Sequence, residues 1–304
     1  MNKPEIILTE GISTTFDLIK EEEIKKRFGF VAILDALGTK NKDFKSILKF
    51  LNNNLLVLSL FKNNFGELLR KITVINERDN RENKLDFFAF QDTIIITFDV
   101  NNKNFLLEYL NYFGTLVQYH VSSSFINHIL FRGAISFGEY YEYSNHFYFG
   151  EAINEAAEWY EQPDFIGVIT TPQLTKLANL LFQKLDENQI DLTKFDRVKF
   201  RELFVLTNAP TKKCDIECYT VTWPLALSYQ NTLPEDNIGL NNNAHEVFKL
   251  LIKKFDIPIG SESKYINTNQ FVNGLFEAFP EKLNFSREEL QKQIILLKGD
   301  ETKA

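Results

Sequence analysis

Two aspartates stand beside apolar segments, where a charged side chain needs a reason. Asp35 follows the nearly continuous apolar run 28–34, and Asp92 separates the strand-like segments KLDFFAF and TIIITFDV. Paired carboxylates at strand ends suit hard divalent cations, which take oxygen ligands and bridge to phosphates. Either aspartate alone is more readily a turn or helix-capping residue. A two-metal phosphate site is therefore a hypothesis that depends on the elements around both residues.

The hydrophobic pattern predicts an alternating α/β domain. The run 28–34 is typical of a buried strand that stops at Asp35 and Gly38, and the segments around Asp92 have hairpin spacing, with Asp92 in the turn. Further predicted elements follow in chain order: a long helix within 44–69, a helix at 104–124, a second hairpin (ILFRGAISFGEYYEY and HFYFG) turning near Ser144 and Asn145, a helix at 151–161, the strand IGVITT, the helix TPQLTKLANLLF, the strands KFRELFVLTN and IECYTVTWP, and helices at 244–256 and 268–279. We expect an arm at 1–27, a main domain at 28–224 and a helical C-terminal extension at 225–304.

Composition narrows the possible partners. The 304 residues carry a net charge of -7, and the 34 basic residues form no stripe that could neutralise a phosphate backbone, so nucleic acid is not an expected partner. Neither a signal-like segment nor an apolar run of roughly 18 residues occurs, which predicts a cytoplasmic protein without a membrane partner. The two cysteines, Cys214 and Cys218, have no further ligands nearby and are expected to be structural thiols. The four histidines show no metal-ligand spacing and are expected to be surface or packing residues.

Three segments in a fixed order resemble the catalytic domain of class III nucleotidyl cyclases. They are FVAILDALGTK with Asp35, FQDTIIITF with Asp92, and RGAISFGE followed by FGEAINEAAEWYE. The resemblance covers residues 28 to about 170. In the third segment it is carried by Arg132, Gly133, Gly138, Gly150 and Asn154, and it is nearest to the bacterial branch that includes the pyrimidine cyclases of Pycsar anti-phage defence.

The resemblance implies a mixed, mainly antiparallel sheet flanked by helices, and a homodimer with composite sites at its interface. It implies that Asp35 and Asp92 hold two Mg²⁺ or Mn²⁺ ions against a nucleoside triphosphate, and that Asn154 orients the ribose. The backbone after Asp35 would receive the triphosphate, at Ala36, Leu37, Gly38 and Thr39. The pyrimidine cyclases make cyclic UMP or cyclic CMP, so we expect a uridylate cyclase in anti-phage defence.

The chain departs from that family at two positions. Glu158 stands four residues after Asn154, where familiar adenylyl cyclases have an arginine that stabilises the transition state. Phe88 stands four residues before Asp92, in place of the lysine that recognises adenine. Phe88 could stack on a base or belong to the core, Gln91 could hydrogen-bond a base edge, and Arg132 could replace the missing phosphate clamp.

The departures leave two alternatives open. One is a degenerate cyclase domain that binds a nucleotide or a partner without turnover, and the other is a different two-metal nucleotidyltransferase on a related sheet.

The second hairpin also carries an aromatic cluster, which either lines the dimer surface or pairs across strands. Its members are Tyr140, Tyr141, Tyr143, Phe147, Tyr148 and Phe149.

Overall fold

The computed structural model describes residues 23–38, 52, 58–59, 85–143, 147–187, 202–229, 244–253, 255 and 260–279. Most of the helix predicted within 44–69, and Thr39 of the predicted triphosphate turn, lie outside the described residues.

The described strands form one eight-stranded sheet with helices packed against it. In chain order the elements are β1 (Ile24–Leu37), β2 (Leu85–Phe90), β3 (Thr93–Asp99), α1 (Leu106–Ile126), β4 (Leu130–Tyr143), β5 (Phe147–Phe149), α2 (Glu151–Trp159), β6 (Gly167–Thr170), α3 (Pro172–Asp186), β7 (Phe204–Ala209), β8 (Ile216–Val221), α4 (Ala244–Ile252) and α5 (Glu262–Ala278). The strand order is β2-β3-β1-β4-β6-β8-β7, with β5 paired to β4. Among the described strands, β4 and β6 form the one parallel pair. The predicted fold class, a mainly antiparallel mixed sheet flanked by helices, is confirmed.

The central strand β1 lies between β3 and β4 and pairs with both in antiparallel register. It begins at Ile24, earlier than the apolar run predicted, because charged Arg27 has partners there. Its guanidinium donates to Asp99 Oδ2 at 2.8 Å and to Glu142 Oε2 at 3.2 Å. A charged residue can occupy a strand when its charge is met by others, so part of the predicted arm belongs to the sheet.

The two faces of the sheet carry different layers. Phe30, Ala32 and Leu34 point to the main hydrophobic core, where α1 and α3 also pack; this is called the back face. Val31 and Ile33 alternate to the opposite side, the front face, and pack there against α2 through Ala152, Ile153 and Ala156. The alternation places Asp35 on the front face, two residues after Ile33.

The helices α4 and α5 join the same core rather than lying apart from it. Phe248 of α4 stacks with Phe125 of α1 at 5.6 Å between ring centroids. Thr268 of α5 accepts a hydrogen bond from the Ile166 amide at 2.8 Å. Their packing fixes the segment before β6, which borders the site described below. Across the described part of the chain, no helix combines the length and the apolar character that a membrane crossing requires.

His120 of α1 is fully buried against the ring of Phe131, and neither of its ring nitrogens has a hydrogen-bond partner among the described residues. Burial lowers its pKa from 6.5 to about 3. Between those values the unfolded chain binds a proton that the folded chain does not, so acid favours unfolding.

We therefore expect the free energy of unfolding to fall with decreasing pH by up to about 1.4 kcal/mol per pH unit from this residue alone. Urea denaturation of wild type and His120→Phe between about pH 7 and about pH 5 should show a shallower pH dependence in the variant. The exposed His128 is the control, and His128→Asn should behave like wild type. Equal slopes for His120→Phe and wild type would contradict the assignment.

Candidate functional site

Asp35 and Asp92 come together at one end of the sheet. Asp35 lies near the end of β1, opposite Thr93 of β3, and Asp92 occupies the turn before Thr93. The Ala36 amide donates to the Asp92 carbonyl oxygen at 2.9 Å, which fastens the turn to the strand. The hairpin predicted around Asp92 is confirmed. The register of β1 with β3 places both aspartates at the same end of these two strands.

Arg132 of β4 lies directly opposite Asp35 on the other side of β1. Its Nε and Nη2 donate to Asp35 Oδ2 at 2.9 and 2.8 Å, and its Nη1 donates to the Glu161 carbonyl oxygen at 3.1 Å. The side chains of Arg132 and Asp35 are 10% and 14% exposed. The ion pair is therefore largely shielded from water, which strengthens it and makes the loss of either partner costly.

The electrostatic state of Asp35 reflects opposing influences. Burial raises the pKa of its carboxyl above the ordinary value, while the hydrogen bonds and charge of Arg132 lower it. The negative charges of Asp92 and Glu161 raise the pKa further, so both groups lie within electrostatic range of Asp35. A divalent cation between Asp35 and Asp92 would relieve their mutual repulsion.

The arrangement fits a divalent cation whose remaining ligands come from a substrate. Both hydrogen bonds from Arg132 to Asp35 end on Oδ2. The other carboxylate oxygen, Oδ1, accepts no hydrogen bond from any described residue. Among the described residues no group of three or more His, Cys, Asp or Glu could hold an ion without help. Magnesium is usually held by one or two carboxylates together with substrate phosphates and water, and does not require a complete protein cage.

A glycine permits the close approach of β4 to β1 beside this pair. A Cβ on Gly133 would lie 2.4 Å from the Ile33 carbonyl oxygen, and Gly133 pairs with Leu34 one position before Asp35. Any larger residue would push β4 away from β1 and separate Arg132 from Asp35. The glycine after the arginine in RGAISFGE thus has a packing reason.

The turn after Asp35 holds three of the four predicted triphosphate-binding residues. Ala36 and Leu37 end β1, and Gly38 follows with a φ of 76°, a left-handed conformation that favours glycine. A Cβ on Gly38 would meet no described residue within 4 Å, so no described side chain crowds this backbone. Open, glycine-containing backbone next to a carboxylate can admit a phosphate chain.

The predicted base-contacting residues flank the same edge. Phe88 pairs with Ile95, which pairs with Ile33, so Phe88 shares the front face with Asp35 and is half-buried. Gln91 lies in the turn beside Asp92, is exposed and has a φ of 54°. Phe90, which the sequence did not single out, pairs with Thr93 in the cross-strand row of Asp35 and is 62% exposed.

Asn154, predicted to orient the ribose, belongs to α2 and not to the strands that carry the aspartates. It lies on the exposed side of α2, and none of its described hydrogen bonds reaches the pair. Glu158, one turn later on α2, is also exposed. Two residues beside the site, Glu161 and Lys212, were not identified from the sequence. Glu161 contacts Arg132 through its carbonyl and Lys212 Nζ through its carboxylate at 3.3 Å. No local pattern marks such contacts between distant segments.

Comparisons with known proteins give structural likeness only. No protein-family model and no curated protein matches the chain. The catalytic core of a rhodopsin-guanylyl cyclase with converted specificity, in complex with ATPαS, is similar at 11% identity and a TM-score of 0.39, covering 66% of this chain and 98% of that one. The adenylyl cyclase CyaB from P. aeruginosa is similar at 13% identity and a TM-score of 0.37, covering 66% and 95%. At this level of similarity, function has to be inferred from the chain's own motifs and site.

Proposed function

We propose that the protein is a metal-dependent nucleotidyl cyclase that converts a nucleoside triphosphate to a 3′,5′-cyclic nucleotide and pyrophosphate. The observation that carries the proposal is the meeting of Asp35 and Asp92 at one edge of the sheet, fastened by the Ala36–Asp92 hydrogen bond. These two aspartates are also the residues at which the sequence motifs resemble the metal ligands of class III cyclases.

In the proposed reaction the ribose 3′-oxygen bonds to the α-phosphorus, the bond from that phosphorus to the bridging oxygen breaks, and pyrophosphate leaves. The hydroxyl proton passes to solvent. Mg²⁺ or Mn²⁺ held by Asp35 and Asp92 would offset the phosphate charge and acidify the hydroxyl. The backbone at Leu37 and Gly38 would hold the phosphate chain in line for the attack, whereas the buried Ala36 already donates its amide to Asp92.

Replacing either aspartate by asparagine should lower cyclisation by at least about a hundredfold, because a neutral amide binds a hard cation far less well. Cyclic nucleotide and pyrophosphate are measured with each of ATP, GTP, CTP and UTP plus manganese. Asp86→Asn is the matched control, since Asp86 lies on the same face of the same hairpin, six residues before Asp92, and should keep activity.

The same experiment separates the alternatives. A degenerate domain is favoured by Glu158 and by the Arg132 ion pair that already neutralises Asp35, and it would bind nucleotide without releasing pyrophosphate. A different nucleotidyltransferase would release pyrophosphate without a cyclic product. Either result from pure wild-type protein would reject the cyclase proposal.

The base we propose is uracil. The lysine that recognises adenine in the resembling family is replaced here by Phe88, so a donor to the purine edge is missing, and Phe88 and Phe90 present aromatic surface near the site. The resemblance to pyrimidine cyclases points the same way. The defence role it implies stays part of this proposal, as does a cytoplasmic location.

With equal manganese, kcat/KM for UTP should exceed that for CTP, and both should exceed that for ATP and GTP by about tenfold or more, because a purine would leave its edge unpaired. Phe88→Lys restores a donor and should raise the ratio of ATP to UTP turnover, whereas Phe88→Leu should not. Wild-type efficiency for ATP or GTP at or above that for UTP would reject the pyrimidine assignment and leave the cyclase proposal standing.

We further propose a two-fold homodimer with composite sites. Asn154 is exposed on α2 and makes no described hydrogen bond to the aspartates of its own chain, as expected of a residue that serves a partner's site. The β4–β5 hairpin carries an aromatic ladder, Tyr141 stacked on Phe149 at 5.3 Å and Tyr143 against Phe147 at 6.1 Å. Phe147 and Phe149 remain 64% and 44% exposed, so they both pair across strands and present apolar surface to a partner.

Light scattering at micromolar concentration should give about twice the chain mass of 35.4 kDa. Phe147→Ser with Phe149→Ser should weaken association by at least about tenfold, because the change removes apolar area from the interface. Leu180→Ser, at a similarly exposed leucine on α3, should leave the mass unchanged. A fully active wild-type monomer would contradict the composite site.

A further inference from the structure

Arg132 makes three hydrogen bonds that together join two separate segments. Two of them end on a single oxygen, Asp35 Oδ2, and the third ends on the backbone carbonyl of Glu161 in the segment after α2. The fork of a guanidinium is rigid and planar, so these contacts fix the orientation of the Asp35 carboxylate relative to that segment.

The use of one carboxylate oxygen leaves the other available. Oδ1 of Asp35 accepts no hydrogen bond within the described part of the chain, and Asp35 lies within electrostatic range of Asp92. A carboxylate held through one oxygen offers the second in a fixed direction, which lowers the entropy lost when a cation binds. We propose that Arg132 is a positioning residue that holds Asp35 through Oδ2 so that Oδ1 can serve the divalent cation shared with Asp92.

This role deepens the proposed cyclase function and rests on it. It differs from a phosphate clamp, in which the guanidinium would contact the substrate. Three of the five N–H groups of Arg132 are already used, and its side chain is only 10% exposed, so little of it can reach a phosphate without breaking these bonds. Partners of metal ligands typically change metal affinity by 10- to 100-fold when they are replaced.

Two variants separate positioning from simple charge. Arg132→Lys keeps the positive charge but loses the fork, and Arg132→Gln loses both. If the positive charge merely competed with the cation for Asp35, its removal in Arg132→Gln would tighten metal binding. If the guanidinium fork positions Asp35, both variants weaken metal binding.

Arg27 of β1 provides a matched control on the same pair of strands, β1 and β4. It too is a largely buried arginine that donates to two acceptors, Asp99 and Glu142. It lies eight residues before Asp35 on β1, about 26 Å away at roughly 3.3 Å per residue. Arg27→Lys and Arg27→Gln therefore disturb a comparable ion pair without touching the site.

The test is a Mn²⁺ titration followed by electron paramagnetic resonance, in the presence of 3′-deoxy-UTP, which lacks the attacking hydroxyl and cannot turn over. We expect the Mn²⁺ dissociation constant to rise by about 10- to 100-fold in both Arg132 variants, and to stay at the wild-type value in both Arg27 variants. Thermal unfolding of each variant verifies folding, and Arg132→Lys, which retains the charge pair, carries the test if Arg132→Gln does not fold.

The outcomes test the positioning role of Arg132 separately from the proposed metal-dependent function. Tighter Mn²⁺ binding in Arg132→Gln, or unchanged Mn²⁺ binding with weaker nucleotide binding in both variants, would overturn the positioning role, the latter in favour of a phosphate clamp. Wild-type Mn²⁺ binding that Asp35→Asn leaves intact, or no Mn²⁺ binding by wild type, would overturn the proposed metal-dependent function itself.

Discussion

The pairing of β1 with β4 along its whole length is the constraint on which the rest of the structure depends. All fourteen residues of β1 have a partner on β4, and seven of them also have one on β3. Two glycines allow β1 to lie this close to its neighbours. On the β3 side, a Cβ on Gly29 would lie 1.9 Å from the Phe98 carbonyl oxygen, and on the β4 side, a Cβ on Gly133 would meet the Ile33 carbonyl oxygen. A shift of register by one residue would turn Asp35 from the front face into the apolar core on the back face.

Each end of this strand pair carries a shielded arginine that bridges strands. Arg27 joins Asp99 of β3 to Glu142 of β4, and Arg132 joins Asp35 of β1 to the segment after α2. Taking such charges from water is costly, and the mutual attraction offsets the cost only where geometry is good and the remaining donors are satisfied. At the Arg27 end both carboxylates are engaged. At the Asp35 end, Oδ1 accepts no hydrogen bond from any described residue, which distinguishes the candidate cation site from the structural ion pair at Arg27.

The front face carries chemically different groups on its strands and on α2. α2 packs on the middle of the face through Ala152, Ile153 and Ala156, and its other side, with Asn154 and Glu158, is exposed. The strands β2 and β3 bring the aromatic side chains of Phe88 and Phe90 to the face of Asp35, whose side chain is 14% exposed. The described chain thus carries carboxylates and aromatic surface around Asp35, and exposed polar groups on α2.

Local sequence patterns were enough to predict the elements around the aspartates. The apolar run before Asp35 predicted a buried strand, the alternation around Asp92 predicted a hairpin with Asp92 in its turn, and helical spacing predicted α1 at 104–124, found at Leu106–Ile126. These signals are local, because strand and helix periods are written in neighbouring residues. Three features are visible only in the folded chain: Arg132 pairs with Asp35 across 97 residues of sequence, Phe90 shares the cross-strand row of Asp35, and β1 starts at Ile24. Such contacts depend on strand register and on the partners that offset buried charge, and neither is encoded in the pattern of any one segment.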